Sequence, residues 1–159
     1  MIDAVDIQIL HIIQQNAKTT NAEIARQVDM APSAIFERLK KLETHGLISG
    51  YHARLNPREL GFGLLAFVFV RAEDKGTELD TGELLTKIPE VQEVHHIAGE
   101  DCYLVKVRTK DTEALGRLLR EHFSTIPTVR STRTTIVLNT LRETCEIPLH
   151  GAGSAPNTV

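Results

Sequence analysis

Through the first fifty positions, apolar residues recur at steps of three and four, the period of helices that bury one face. Ile9, Leu10 and Ile13 follow Asp3 and Asp6, two acids that favour a helix N-terminus, and predict a helix from Asp3 to about Gln15. Thr20 and Glu23 have capping-box spacing ahead of the apolar set Ile24, Ala25 and Val28, which marks a second helix. A third runs from Pro32, suited to a first helical position, to about Thr44, with Ile35, Leu39 and Leu42 as its apolar stripe. Asp29-Met30-Ala31 is the turn between the last two, and Asp29 tolerates the left-handed backbone that such a turn needs. Ala31 has no side-chain oxygen to cap the third helix, a lack that costs about 1 kcal/mol relative to Ser or Asn. Ser33, Ala34, Glu37, Lys40 and Lys41 point away from the stripe. His45-Gly46 ends the helix, and Leu47-Ile48 resumes an apolar run that predicts a tight strand or wing. Residues 22–51 thus read as a helix-turn-helix followed by a hairpin.

Gly50 to Leu55 alternates polar and apolar residues like an exposed strand until Asn56-Pro57 stops it, which places a domain boundary there. Beyond Gly61 the pattern changes to that of a sheet, with LLAFVFVRA at 64–72 rich in β-branched and aromatic residues, then a short helix near Thr81–Lys87. An internal echo follows. Val70-Arg71 recurs as Val107-Arg108, and Ile88-Pro89-Glu90-Val91 recurs as Ile126-Pro127-Thr128-Val129. The second copy supplies a strand at 104–109, a helix at 112–123 with Leu115, Leu118, Leu119 and Phe123 on its apolar side, and a strand at 132–141. Two strand-helix-strand units in tandem give a ferredoxin-like β-α-β-β-α-β arrangement, an antiparallel sheet with both helices on one face. FVFV and TTIVL carry apolar residues on both sides of their strands, so a second subunit is expected over the bare face. The tail, GAGSAPNTV, lacks core-forming residues and predicts disorder.

Composition narrows the partners without choosing one. The 159 residues are 42% hydrophobic, enough for one ordinary core or two small ones. A net charge of −3 excludes attraction to a polyanion by the whole-molecule field, and residues 1–55 sum to zero, so any DNA contact must come from a local basic face. Lys40 and Lys41 are that cluster. Cys102 and Cys145, with no signal-peptide pattern and no apolar run near 18 residues, predict free thiols in a cytoplasmic protein away from membranes. His95-His96 and His122 do not make a metal site, because neighbours on a strand point to opposite faces. Neither a nucleophile elbow, a Walker loop nor an HExxH spacing is present, so no enzyme activity and no cofactor are expected.

Three motifs carry a family resemblance over nearly the whole chain: Ile2-Asp3-x-x-Asp6-x-x-Ile9-Leu10, Arg38-Leu39-x-x-Leu42-Glu43-x-x-Gly46-Leu47-Ile48-x-Gly50-Tyr51, and Thr132-Arg133-Thr134. They resemble the Lrp/AsnC (leucine-responsive, feast/famine) transcription factors. That resemblance implies an α+β chain with a (winged) helix-turn-helix domain over 1–50, a hinge strand at 51–61, a ferredoxin-like ligand-binding and oligomerisation domain over 62–148 and a disordered tail at 149–159. Implied partners are double-stranded DNA, an amino-acid effector and further copies of the chain, as a homodimer assembling to a tetramer or octamer. The DNA-binding candidates are Ser33, Ala34, Glu37, Arg38, Lys40, Lys41 and Arg54, with Arg38 read either as a phosphate contact or as an ion pair to a neighbouring acid. The family's glycine loop falls on Gly99-Glu100-Asp101-Cys102-Tyr103, and its response positions on Thr134, Thr135, Ile136 and Val137. Many members have an aromatic residue then Asp where this chain has Asp101-Cys102. A ferredoxin-like metabolite-binding module with no DNA role is the competing reading, and the outward face of the third helix discriminates the two.

Overall fold

Asp3 begins the structure by closing a reciprocal box, in which its carboxylate accepts the Asp6 N–H at 2.8 Å and its own N–H donates to the Asp6 carboxylate at 3.1 Å. In this computed structural model, which describes residues 2–73 and 80–149, the box caps α1 (Ala4–Gln15). Helix α2 (Asn21–Val28) is capped by Thr20, whose hydroxyl accepts the Glu23 N–H. Asp29 then takes the left-handed conformation at φ 53°, and the Met30 N–H closes back on the Ala25 carbonyl. Helix α3 spans Pro32–Thr44, and Ala31 offers it no side-chain cap. Gly46, at φ 72°, returns the chain so that Leu47 and Ile48 both donate to the Leu42 carbonyl. Ile9, Ile13, Ile24, Ala25, Ile35 and Leu42 form the core of the three helices, with Val28, Leu39 and Ile48 packed on it.

The wing or hairpin expected next does not form, and neither does the exposed strand expected from Gly50 to Leu55: among the described residues, 47–63 carry no strand. Alternation makes a segment competent for a ladder, but a strand also needs a partner to pair with, and residues 51–56 are exposed along their whole length. A turn from Pro57 follows, closed by Phe62 N–H to the Pro57 carbonyl at 2.7 Å and by Gly61 at φ 77°.

The sheet comprises β1 (Leu64–Ala72), β2 (Val91–His96), β3 (Tyr103–Thr109) and β4 (Val129–Ile136) in the antiparallel order β2-β3-β1-β4, with α4 (Thr81–Thr86) and α5 (Thr112–Leu118) between strands. This is the ferredoxin-like order. Ala66, Val68, Val70, Val105 and Val107 bury one face against Leu85, Leu115, Leu118 and Phe123 of the helical layer. The duplicated Ile-Pro-x-Val segments make the same turn: Ile88 N–H to Leu85 and Ile126 N–H to Phe123 are both 3.3 Å, and Val91 N–H to Ile88 and Val129 N–H to Ile126 are both 3.0 Å. The two copies join through buried hydroxyls, with Thr81 Oγ1 and Thr128 Oγ1 2.6 Å apart.

Two boundaries differ from the sequence reading. The helix expected over 112–123 is α-helical only to Leu118, and Leu119–Phe123 is a π-helical turn that leaves Phe123 fully buried. The last strand, expected at 132–141, runs from Val129 to Ile136: Ala72 of β1 pairs with Val129 and Ala66 with Ile136, and the Val137 N–H still reaches the Leu65 carbonyl at 2.9 Å before the pairing stops. Leu138 and Leu141 lie beyond it and are almost fully exposed. The described residues divide into two compact units, 2–54 with 142–149, and 55–141. Residues 142–148, expected with the sheet, instead group with the helices, where the Gln14 amide exchanges two hydrogen bonds with the backbone of Ile147. The predicted disorder over 149–159 falls, from 150 onward, outside the described residues. No helix among the described residues is long and apolar enough to cross a membrane.

Replacing Thr81 with Val sets a methyl against the buried Thr128 hydroxyl. We expect a loss of about 1–3 kcal/mol in the stability of the sheet unit, read by amide hydrogen exchange in β1 and β3, and a smaller combined loss when Thr128 is also Val. Unchanged protection in Thr81→Val would mean that the pair contributes nothing.

Candidate nucleic-acid interface and effector loop

The rotation of α3 follows from its buried side. Ile35 is fully buried, Leu42 nearly so and Leu39 half-buried, so at about 100° per residue the opposite side carries Ser33, Phe36, Glu37 and Lys40, at i, i+3, i+4 and i+7. All four are exposed, as is Lys41 on one flank, whereas Ala34 on the same flank is half-buried. Neither Lys40 nor Lys41 joins a salt bridge with a described residue. Their charge is free for an anion. Phe36, 54% exposed, was not singled out by the sequence, where an apolar residue on a helix defaults to the core. Its place off the Ile35-Leu39-Leu42 stripe was the available signal.

Arg38 is spent inside the protein. Its guanidinium donates to Asp3 Oδ2 at 2.6 Å and Asp6 Oδ1 at 2.7 Å, so the two acids that cap α1 also hold α3. The Asp6 and Asp3 hydrogen bonds raise the Arg38 pKa, and the Asp6 backbone N–H, followed by Arg38, lowers that of Asp3. Of the two roles read for Arg38, the ion pair is the one formed here. At the far end of α3, Tyr51 Oη donates to Glu43 Oε1 at 2.9 Å, and burial, then the Glu43 bond, push the phenol up to about 12. Phe36, Leu39, Lys40, Glu43 and Tyr51 line part of a groove of about 480 Å³ beside the helix. Arg54 is exposed on the segment without regular structure.

In the sheet unit, the loop between β2 and β3 carries Gly99 at φ 146°, with open space where a Cβ would stand, and an exposed Glu100. Asp101 is tied to β4 by Arg133, whose Nη2 donates to Asp101 Oδ2 at 3.1 Å while its guanidinium carbon sits 4.0 Å from the centre of the Phe69 ring. Cys102 is half-buried, and its Sγ donates to the Ala72 carbonyl at 3.2 Å. Tyr103 is buried and stacked on His96, ring centres 5.0 Å apart, so it supports the loop from beneath. Thr134, Thr135 and Ile136 pair with Val68, Phe67 and Ala66 further along β4, and Thr135 faces the side of the sheet opposite to its two neighbours. Within one chain the loop therefore meets Arg133. It does not gather all the response positions. Cys102 and Cys145 are free thiols, and no group of three or more His, Cys, Asp or Glu among the described residues is placed to hold a metal.

Comparison with known proteins separates the same two parts. Residues 2–43 match the AsnC-type helix-turn-helix domain and residues 65–147 the Lrp/AsnC ligand binding domain. The HTH-type transcriptional regulator FL11 of Pyrococcus horikoshii is 36% identical over 93% of this chain and 97% of its own length. The leucine-responsive regulatory protein of Escherichia coli K12 is 34% identical over 89% and 88%. Among solved structures, a transcriptional regulator of Neisseria meningitidis in complex with L-methionine aligns at a TM-score of 0.89, with 30% identity over 94% of this chain and 98% of that one. The feast or famine regulatory protein of Mycobacterium tuberculosis complexed with L-methionine aligns at 0.86, with 33% identity over 92% and 99%.

The Arg38 pair has consequences for acid stability. Because the folded-state pKa of Asp3 is lowered, its contribution is complete above the unfolded value of about 3.9 and is lost as pH falls through the folded one. We expect the three-helix unit to weaken below about pH 4 and Asp3→Asn to flatten that fall, as followed by helical circular dichroism. Arg38→Ala should cost on the order of 1 kcal/mol at neutral pH without changing the salt dependence of DNA binding by the folded protein. A reduced salt slope with unchanged stability would return Arg38 to the DNA-contacting set.

Proposed function

The chain belongs to the Lrp/AsnC family of helix-turn-helix transcriptional regulators with a ligand-binding domain, and from that premise we propose that paired copies of α3 read a pseudo-palindromic DNA site under the control of an amino-acid effector. The observation that carries the DNA half is the exposed side of α3, where Lys40 and Lys41 form no salt bridge with a described acid while Arg38 forms two. Lys40 and Lys41 contact backbone phosphate, Ser33 and Glu37 reach base edges from the N-terminal half of the helix, and Ala34 lets the backbone approach. Arg54 adds a phosphate contact from the linker. The active form is a homodimer that assembles further, to a tetramer or octamer, and works in the cytoplasm where its DNA is. It has no catalytic role.

The effector half rests on the loop 99–102. An amino acid offers an ammonium to an acidic side chain and a carboxylate to backbone N–H groups around Gly99, where no Cβ intervenes. Glu100 is the exposed carboxylate, and Asp101 becomes available if Arg133 turns to the ligand carboxylate instead. Cys102 and Tyr103 shape the floor, and Thr134, Thr135 and Ile136 of a neighbouring copy close the site. Two relatives solved with L-methionine support this ligand class.

Salt titration tests the DNA half. Lys40→Ala and Lys41→Ala should each weaken binding to all sequences alike and lower the magnitude of the log–log salt slope by about 1, and footprints should show half-sites spaced by whole turns of ~10–10.5 bp. If both variants keep wild-type affinity and slope, α3 is not the contacting helix. For the effector half, calorimetry against the twenty amino acids beside sedimentation should find one that changes oligomer size in wild type, with the change lost in Glu100→Ala and Asp101→Ala. Undiminished ligand binding in both variants would place the site elsewhere.

A further inference from the structure

Phe36 stands among the residues proposed to read DNA, yet it can neither donate nor accept a hydrogen bond. It is more than half exposed, between Ser33 one turn before it and Lys40 one turn after, with Glu37 beside it. On its inner side the ring borders the groove that Leu39 and Tyr51 also line. Its outer side is left uncovered by the described residues.

In a major groove the base edges present donors and acceptors, and the one apolar group that projects from them is the C5-methyl of thymine, beside its O4 acceptor. A ring pressed into that groove next to polar edges loses their hydration without replacing it, whereas against the methyl it buries apolar surface on both sides. We propose that Phe36 is a specificity-determining residue that selects thymine by packing on its methyl group, at a base pair next to those faced by Ser33 and Glu37. The inference rests on the reading of α3 as the DNA-contacting helix and adds to it the base that the sequence-derived set leaves unread. Position decides against a merely structural role. The ring completes the i, i+3, i+4, i+7 face of Ser33, Phe36, Glu37 and Lys40, whereas packing for its own sake would place it on the buried stripe with Ile35 and Leu42.

The test removes the methyl and leaves every hydrogen-bonding group in place. Full-length protein selects sites from a random duplex pool, and the winning site is then made with deoxyuridine in place of thymidine at one position at a time. Wild type should lose affinity about fourfold at one thymine of each half-site and roughly 15-fold when both are replaced, the factor for about one buried methyl each. Phe36→Ala should bind the thymine and uracil forms equally, and Phe36→Leu should retain part of the preference. Because the ratio is taken within each variant, a general loss of affinity from loosened packing cancels. Indifference of wild type to uracil at every position overturns the inference, as does an unaltered preference in Phe36→Ala. A pool that yields no enriched sequence overturns the DNA reading itself, and this inference with it.

Discussion

Turning α3 by one residue, about 100°, would put Phe36 where Ile35 is and carry Lys40 to the place of Leu39, towards the protein. What prevents this is the seat of Ile35 and Leu42 among Ile9, Ile13, Ile24 and Ala25, two side chains whose burial contributes roughly 1.5–3 kcal/mol each. To that apolar packing the Arg38 guanidinium adds a directional contact, through Nη1. It grips Asp3 and Asp6, which are already fixed as the reciprocal cap of α1. One constraint therefore starts α1, joins it to α3 and sets the angle at which the exposed face of α3 is presented. Tyr51 adds a second fixed point at the C-terminal end by bonding Glu43.

The sheet unit shows the same division between a shared frame and local exceptions. Its duplicated turns match bond for bond, but the third position of the repeat is Glu90 in one copy and Thr128 in the other. Thr128 shares a buried hydrogen bond with Thr81, and Glu90 keeps one carboxylate oxygen buried with no hydrogen-bond partner. The backbone symmetry thus survives while the side chains serve different ends. On the open face, Arg133 lies on Phe69 and holds Asp101, which fixes one side of the 97–102 loop from the edge strand β4.

Local rules explain why the helix-turn-helix was legible almost residue by residue. Pro32 at a first helical position, Asp29 at positive φ and Gly46 at the helix end are each decided by a single residue's own backbone preferences. Strand limits are not local. Residues 137–141 have strand-like composition, but the ladder to β1 stops after the Val137 N–H to Leu65 bond, and residues 50–55 alternate without a neighbour to pair with. The π-helical turn at Leu119–Phe123 has no periodic signature distinct from a helix. In the candidate site, sequence could say that Arg38 wanted an acid but not that two would be waiting more than thirty residues away. Phe36 carries no polar group to mark it as a contact residue, and only its phase relative to the Ile35-Leu39-Leu42 stripe tells that it is exposed.

Charge accounting then connects the two units. With a net charge of −3, the protein gains nothing from its overall field, and Arg38 and Arg133 are both engaged by carboxylates. On the proposed reading, Lys40 and Lys41 give each copy of α3 about two phosphate contacts, a small share of the electrostatic term that dominates DNA affinity. A single copy would then be a weak ligand, and joining copies would strengthen it, since a second contact made by a tethered module adds affinity without any new kind of interaction. Assembly through the sheet unit would in that case set affinity in the helical one. An effector at the 97–102 loop would regulate DNA binding by changing the number of α3 helices held together, with no need to alter the shape of α3 itself.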